Sequence, residues 1–296
     1  MPANVGLEPV NVGWGPADVG KEVDRIIRNS VLGLNMRLQD QNILSSIADL
    51  GTLPQGKLLI NTINAWSFVV AQKDEAFAEA LQGGDVLIPD GKSIVLACRF
   101  LKTTPQPKER IAGWDLFCHE MKRVSSRVQE FKGSRVQKFN GSRVQAYKGS
   151  NKGKVMFLGS SEKTLALIRQ RAAVDYPELE IVTYSPPFKA EFSTEDNAAM
   201  IKAVNDANPD LLWIGMTAPK QEKWTYEHWN ELNVHCHVGT IGAVFDFYAG
   251  TIQRAPQWMQ KCGLEWFHRL MSNPKRMWRR YLIGNFKFLY YILKEL

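Results

Sequence analysis

Lys57-Leu-Leu-Ile-Asn-Thr-Ile63 and Asp85-Val-Leu-Ile-Pro-Asp90-Gly91, with the stretch Asp74 to Gln82 between them and Ser93 to Leu101 after them, decide the fold. The two quoted segments are short apolar runs closed by amides, hydroxyls or an Asp-Gly pair, which reads as buried strands ending in turns. The two intervening stretches space their apolar residues at helical intervals. Strand, helix, strand, helix with near-continuous apolar strands is the pattern of a mostly parallel sheet covered by helices on both faces.

The same alternation continues downstream. Gly113 to Val124 reads as helix, Val155 to Gly159 as strand, Glu162 to Tyr176 as helix and Leu179 to Tyr184 as strand. Thr194 to Asn208 is then helix, Asp210 to Gly215 strand, Lys220 to Leu232 helix and His235 to Gly239 strand. This divides the chain into a lead-in over 1–30, an α/β core over 31–250 and a helical appendage over 251–296. One segment breaks the rhythm. Ser126-Arg-Val-Gln-Glu-Phe-Lys-Gly133 recurs as Ser134 to Gly141 and Ser142 to Gly149, a period of eight that is too short for a solenoid. It is expected to form hairpin-like turns inserted over 126–150, on the edge of the sheet remote from ligands.

In the appendage, Pro256 is a good first helical residue, and Pro274 both ends one helix and starts another that runs to the terminus. The second helix mixes Arg276, Arg279, Arg280 and Lys287 with Leu282, Ile283, Phe286, Leu289, Tyr290 and Leu293. A helix of that composition can lie on an anionic bilayer, because apolar burial and phosphate attraction add; packing on the core with a solvated basic face is the plainer alternative. The whole chain carries +7, residues 254–296 alone carry +7 and the octad segment +5, which leaves the rest at −5. Charge is thus concentrated in two places, favouring an anionic surface or phosphorylated ligand over a nucleic-acid groove. No run reaches the roughly 18 apolar residues of a membrane span, and no export signal is evident at the N-terminus. Four scattered cysteines without a CxxC spacing fit a reduced, cytoplasmic protein.

The expected carboxyl ends of the strands deliver Thr62 and Asn64, then Asp90-Gly91, Gly159-Ser160-Ser161, Thr217 to Glu222 and Gly239 to Ala243. Glycines there let backbone N–H groups approach a phosphate. Asp90 is the outstanding group: as a carboxylate in a cleft it could take a proton from an attacking hydroxyl, and as a helix cap it would do nothing chemical. Arg110 could hold a phosphate or pair on the surface. His235 and His237 alternate along an expected strand and are read as ordinary residues rather than metal ligands.

Asn61-Thr-Ile-Asn64, Pro89-Asp-Gly91, Glu109-Arg-Ile-Ala-Gly-Trp-Asp115, Gly215-Met-Thr-Ala-Pro-Lys-Gln-Glu222, Gly239-Thr-Ile-Gly-Ala-Val-Phe-Asp246, Gly250 with Arg254-Ala-Pro256, Glu265-Trp266 and Pro274-Lys-Arg276 with Arg279-Arg-Tyr281 follow one another in order. In these landmarks the chain resembles the WecG/TagA/CpsF glycosyltransferase family. The resemblance implies a Rossmann-like core with an appendage that docks on the inner face of the cytoplasmic membrane and helps close the site. It implies transfer of a sugar, with inversion and without a metal or other cofactor, from a UDP-sugar to a polyprenyl-diphosphate-linked saccharide in cell-surface polysaccharide synthesis. It places the general base on Asp90 and ligand contacts on Thr62, Asn64, Arg110, Gln221, Arg276, Arg279 and Arg280. The strand-end glycines Gly159, Gly239 and Gly242 are expected to add phosphate-facing backbone, although Gly159-Ser-Ser departs from the Gly-Gly more usual in the family. The absence of an Asp-x-Asp motif agrees with metal independence. A membrane-associated scaffold without catalysis is the alternative, a homo-oligomer stays open, and no nucleic-acid-binding motif is present.

Overall fold

The computed structural model describes residues 32–134 and 152–296. Six strands form one all-parallel sheet: β1 (Leu58–Ile63), β2 (Val86–Pro89), β3 (Gly153–Gly159), β4 (Leu179–Tyr184), β5 (Leu211–Gly215) and β6 (His237–Thr240), in the order β2-β1-β6-β5-β3-β4. The α/β class with helices on both faces follows from this sheet. Its inner strands are buried along their length, as parallel strands with helices on either side must be.

Helices α1 (Ala65–Ala71) and α2 (Glu75–Gln82) link β1 to β2, and α3 (Lys92–Leu101) and α4 (Gly113–Ser134) link β2 to β3. Then come α5 (Glu162–Asp175), α6 (Thr194–Ala207), α7 (Lys220–Glu227) and α8 (Gly242–Ala249), each after the next strand. Alternation within β1 assigns the layers. Leu58 and Ile60 pack with Leu116, Phe117, Leu165, Trp213 and Phe245 under α4, α5 and α8. Leu59 faces the other way, toward Met200, Leu212 and Trp224 of the layer covered by α6 and α7. Ile63 joins Phe68, Phe77 and Ile94 in a third cluster at the β2 end. Because α1 and α8 leave neighbouring strands onto opposite faces, a crevice opens between β1 and β6 at their carboxyl ends, where open parallel sheets bind ligands.

The sequence reading missed α1 and α8, and both are explained locally. Asn64 caps α1, its Oδ1 accepting from the N–H groups of Trp66 and Ser67 at 3.0 and 3.1 Å, while Gly250 in the left-handed region ends α8. The octad segment needs a correction. Its first copy, Ser126–Gly133, is not hairpin-like but continues α4 to Ser134. Val124, just before the repeat, and Val128 within it are one helical turn apart, so they fall on one face and pack against Gly153. The later copies and the lead-in over 1–30 lie outside the described residues. Since α4 starts at the cleft with Gly113 and runs 22 residues, about 33 Å at helical rise, it carries the first copy away from the cleft.

The appendage is more broken than its prolines suggest. Gly263, at φ +76°, splits the first helix into α9 (Gln257–Cys262) and α10 (Glu265–Ser272). The second comprises α11 (Pro274–Trp278), one π turn over Arg279–Ile283 and α12 (Gly284–Glu295). Phe288 and Ile292 of α12 are buried in the β2-end cluster, Phe288 edge-on to Phe68 with centroids 5.6 Å apart. Glu295 Oε1 accepts from the Gln39 N–H at 2.7 Å. One face of the terminal helix therefore belongs to the core, and Phe286, 77% exposed, with Leu289, Tyr290 and Leu293 points outward. Among the described residues no helix is long and apolar enough to cross a membrane.

Candidate active site

A cleft of about 520 Å³ opens over the carboxyl ends of β1, β2, β5 and β6 and is roofed by α10 and the start of the last helical segment. Its floor includes Thr62 and Asn64 after β1, Asp90 after β2, Thr217 after β5, and Thr240 and Gly242 after β6. Thr217 holds φ +74°, an uncommon conformation for a β-branched residue, and its carbonyl accepts from the N–H groups that start α7.

Asp90 is positioned by its backbone. Its N–H donates to the Ile63 carbonyl at 2.7 Å, tying the end of β2 to the end of β1. Gly91, at φ +152°, then turns the chain and itself caps α3 without a side-chain hydrogen bond, so Asp90 is not the helix cap. Its half-buried side chain lines the cleft. Burial pushes the carboxyl above the usual aspartate range, and Arg269, Arg110 and Arg280 pull it back only partly.

The roof is organised by Glu265. Its Oε2 lies 2.9 Å from Arg110 Nη1 of the core, and its Oε1 lies 3.2 Å from Arg269 Nη2 and 3.8 Å from Arg254 Nε. Burial would raise this carboxyl, but Arg269, Arg110 and Arg254 together hold it below the usual range. Arg254 lies over Trp114, and both Arg254 and Arg269 lie over Phe247. One carboxylate among three guanidiniums, with Arg280 also lining the cleft, leaves positive charge facing the space above Asp90.

Of the residues expected from the sequence, Thr62, Asn64, Asp90, Gln221, Gly242 and Arg280 line this one cleft. Arg110 is beside it, engaged with Glu265. Gly159 and Gly239 are not among its lining residues; a side chain on Gly159 would meet the Gly215 carbonyl at 2.4 Å and one on Gly239 would meet the Trp213 ring at 2.4 Å, so both serve close packing within the sheet. Arg279 is exposed and faces an outer groove with Trp66, Lys73 and Lys287. The side chain of Arg276 lies outside what is described. His235 precedes β6 and is exposed, whereas buried His237 sits between Glu120 Oε2 at 2.9 Å and the Pro54 carbonyl at 2.8 Å. Among the described residues no three His, Cys, Asp or Glu side chains are placed to share a metal ion.

Sequence reasoning missed Arg269, the hub role of Glu265, and Glu222. A signal for the first two was present: Glu265, His268, Arg269 and Ser272 stand at helical spacing as a polar stripe in an aromatic segment, and all four line the cleft.

A parallel sheet with a crevice at its topological switch point, a carboxylate on the floor and arginines in the roof makes a site built to hold an anionic ligand. The model of the "Glycosyl transferase WecG/TagA/CpsF family" matches residues 30–135 and 142–296, and the chain belongs to that family: it is a glycosyltransferase. It is 27% identical over 237 residues, 80% of this chain and 79% of the relative, to an N-acetylglucosaminyldiphosphoundecaprenol N-acetyl-beta-D-mannosaminyltransferase of Bacillus subtilis (strain 168). Proteins of the same name from Bacillus spizizenii (strain ATCC 23059 / NRRL B-14472 / W23) and Staphylococcus aureus (strain MW2) are 26% and 25% identical over 246 and 242 residues, covering 82% and 81% of this chain and 83% and 80% of the relatives.

Proposed function

We propose that this protein transfers an N-acetylhexosamine, with N-acetylmannosamine the first candidate, from a UDP-sugar to a sugar carried on a polyprenyl diphosphate, at the inner face of the cytoplasmic membrane, in synthesis of a cell-surface polysaccharide. The relatives' names motivate the sugar and the lipid diphosphate. The observation that carries the mechanism is the half-buried Asp90 carboxyl with Arg269, Arg110 and Arg280 within electrostatic reach. Asp90 takes the proton from the acceptor hydroxyl as that oxygen attacks the anomeric carbon and the bond to the nucleoside diphosphate breaks. The arginines stabilise the negative charge that builds on the departing diphosphate. A single base beside the attacking oxygen supports one displacement with inversion. Guanidinium groups can carry the charge that other transferases place on a metal, consistent with the missing Asp-x-Asp motif.

The outward row of Phe286, Leu289, Tyr290 and Leu293 and the basic charge of residues 254–296 support docking on an anionic leaflet. Since Arg269 and Arg280 belong to the same appendage, docking would complete the site where the lipid acceptor lies. Purified protein given UDP-N-acetylhexosamines and a prenyl-diphosphate-linked N-acetylglucosamine tests the reading. Release of UDP that depends on the acceptor is expected; release indifferent to acceptor, or none with any UDP-sugar, would overturn it.

A further inference from the structure

The first turn of α7 presents a carboxyl to the cleft that the proposed mechanism leaves unused. Glu222 is 2% exposed, yet its side chain contributes to the cleft lining. Its Oε1 accepts from Gln221 Nε2 at 2.8 Å, and its Oε2 has no hydrogen-bond partner among the described residues. Gln221 is held at its other end too: its Oε1 accepts from the Gly242 N–H at 3.2 Å, and a side chain on Gly242 would come within 2.6 Å of that oxygen. The amide is thus clamped between the start of α8 and Glu222. Gln221 orients the carboxyl, and Oε2 is its unpartnered oxygen at the cleft wall.

The surroundings favour the uncharged acid. Burial pushes the carboxyl up to about 7. Around it, Lys223 is paired with Asp74 at 3.1 Å, Asp90, Asp246 and Glu265 are the other carboxyls of the cleft lining, and Arg269 is held by Glu265; none of these hydrogen-bonds Oε2. With Oε1 accepting from an amide, a proton on the carboxyl sits on Oε2, which makes that buried atom a donor with no acceptor among the described residues.

We propose that Glu222, as a protonated carboxylic acid oriented by Gln221, binds substrate by donating an O–H hydrogen bond from Oε2 to an uncharged group, a hydroxyl or acetamido oxygen of a bound sugar. A diphosphate is the wrong partner, because ionisation of Glu222 would repel it and the arginine-lined roof supplies its charge complement. This inference rests on the transferase reading, and its test keeps the two separable.

The test compares wild type with Glu222→Gln and Glu222→Leu in acceptor-dependent UDP release across pH, with folding checked by thermal melts and KM measured for each substrate. Wild-type kcat/KM should fall as pH rises through about 7. Glu222→Gln, whose amide donates at every pH, should stay within several-fold of wild type and lose that alkaline limb. Glu222→Leu should raise KM for one of the two substrates by roughly 10- to 100-fold, the cost of an unpaired polar group in a buried site. An alkaline limb that persists in Glu222→Gln, an inactive but folded Glu222→Gln, or unchanged KM values in Glu222→Leu would overturn the proposal. Infrared spectroscopy supplies a readout without turnover: a protonated-carboxyl component at about pH 6 in the wild-type-minus-Glu222→Gln difference spectrum supports the protonated acid even should the transferase reading fail, and a difference spectrum without that component refutes it.

Discussion

Arg110 in the core and Glu265 in the appendage, 155 positions apart, meet at 2.9 Å on the lip of the cleft. This contact joins the Rossmann-like body to the helices that roof it. Arg110 serves first as an anchor: its charge is partly spent on Glu265, and Arg269, which Glu265 also holds at 3.2 Å one turn along its helix, acts more strongly on Asp90.

Glu265→Gln should therefore loosen the roof without unfolding the body. It removes the charge that Arg110, Arg254 and Arg269 share, leaving three guanidiniums to repel one another. Acceptor-dependent turnover should fall roughly 10- to 100-fold, as expected when positioning groups shift by about 1 Å. Hydrogen exchange over 257–272 should quicken while exchange in β5 and β6 stays unchanged.

Asp90→Asn should lower kcat by roughly 10²- to 10⁴-fold, the range typical of a lost general base, with donor affinity by calorimetry nearly intact. In wild type, activity requires the ionised carboxylate, so it should decline as pH falls through the raised value of Asp90, above the usual aspartate range. That acid limb should be missing from the residual activity of Asp90→Asn.

Two arginines of the appendage should behave differently. Arg269→Ala removes charge facing Asp90 inside the cleft and should lower kcat/KM by about 100-fold or more. Arg279→Ala lies in the outer groove and should leave kcat/KM of a detergent-solubilised short-chain acceptor within a few-fold of wild type. Steady-state kinetics on one acceptor distinguishes them.

Phe286→Ser combined with Leu289→Ser should weaken flotation with anionic vesicles while changing the melting temperature little. Both side chains are more than half exposed, and substitutions at such positions usually change stability by within about 0.5 kcal/mol. Equal flotation of variant and wild type would remove this face as the docking surface.

Glu120 is a stability group remote from the cleft. Burial would raise its carboxyl, but hydrogen bonds from His237 and Arg123, at 2.9 and 2.8 Å, bring it below the usual glutamate value. Its folded value is depressed, so the stabilisation is present above the unfolded value and lost as pH falls through the folded one. Glu120→Gln should cost about 3–5 kcal/mol near neutral pH, the usual penalty for breaking a buried pair, and progressively less in acid, as chemical denaturation at a series of pH values would show.

The sequence determined the alternation of apolar strands and amphipathic helices, hence the parallel sheet, and it placed Asp90 at a strand end, because burial on both faces and Asp-Gly turn chemistry are written in neighbouring residues. Helix breaks without proline were harder to read: Gly263 ends a helix by its own φ, whereas the first octad copy continues a helix because Val128, with Val124 before it, packs on β3. Tertiary structure alone decided which polar groups share a cleft. Arg279 and Arg280 are adjacent in the chain yet serve different grooves, Arg110 is claimed by a residue 155 positions away, and Gln221 is clamped so that Glu222 faces the ligand space. Charge partners and burial depend on side chains brought together from distant elements, and local pattern carries no record of that distance.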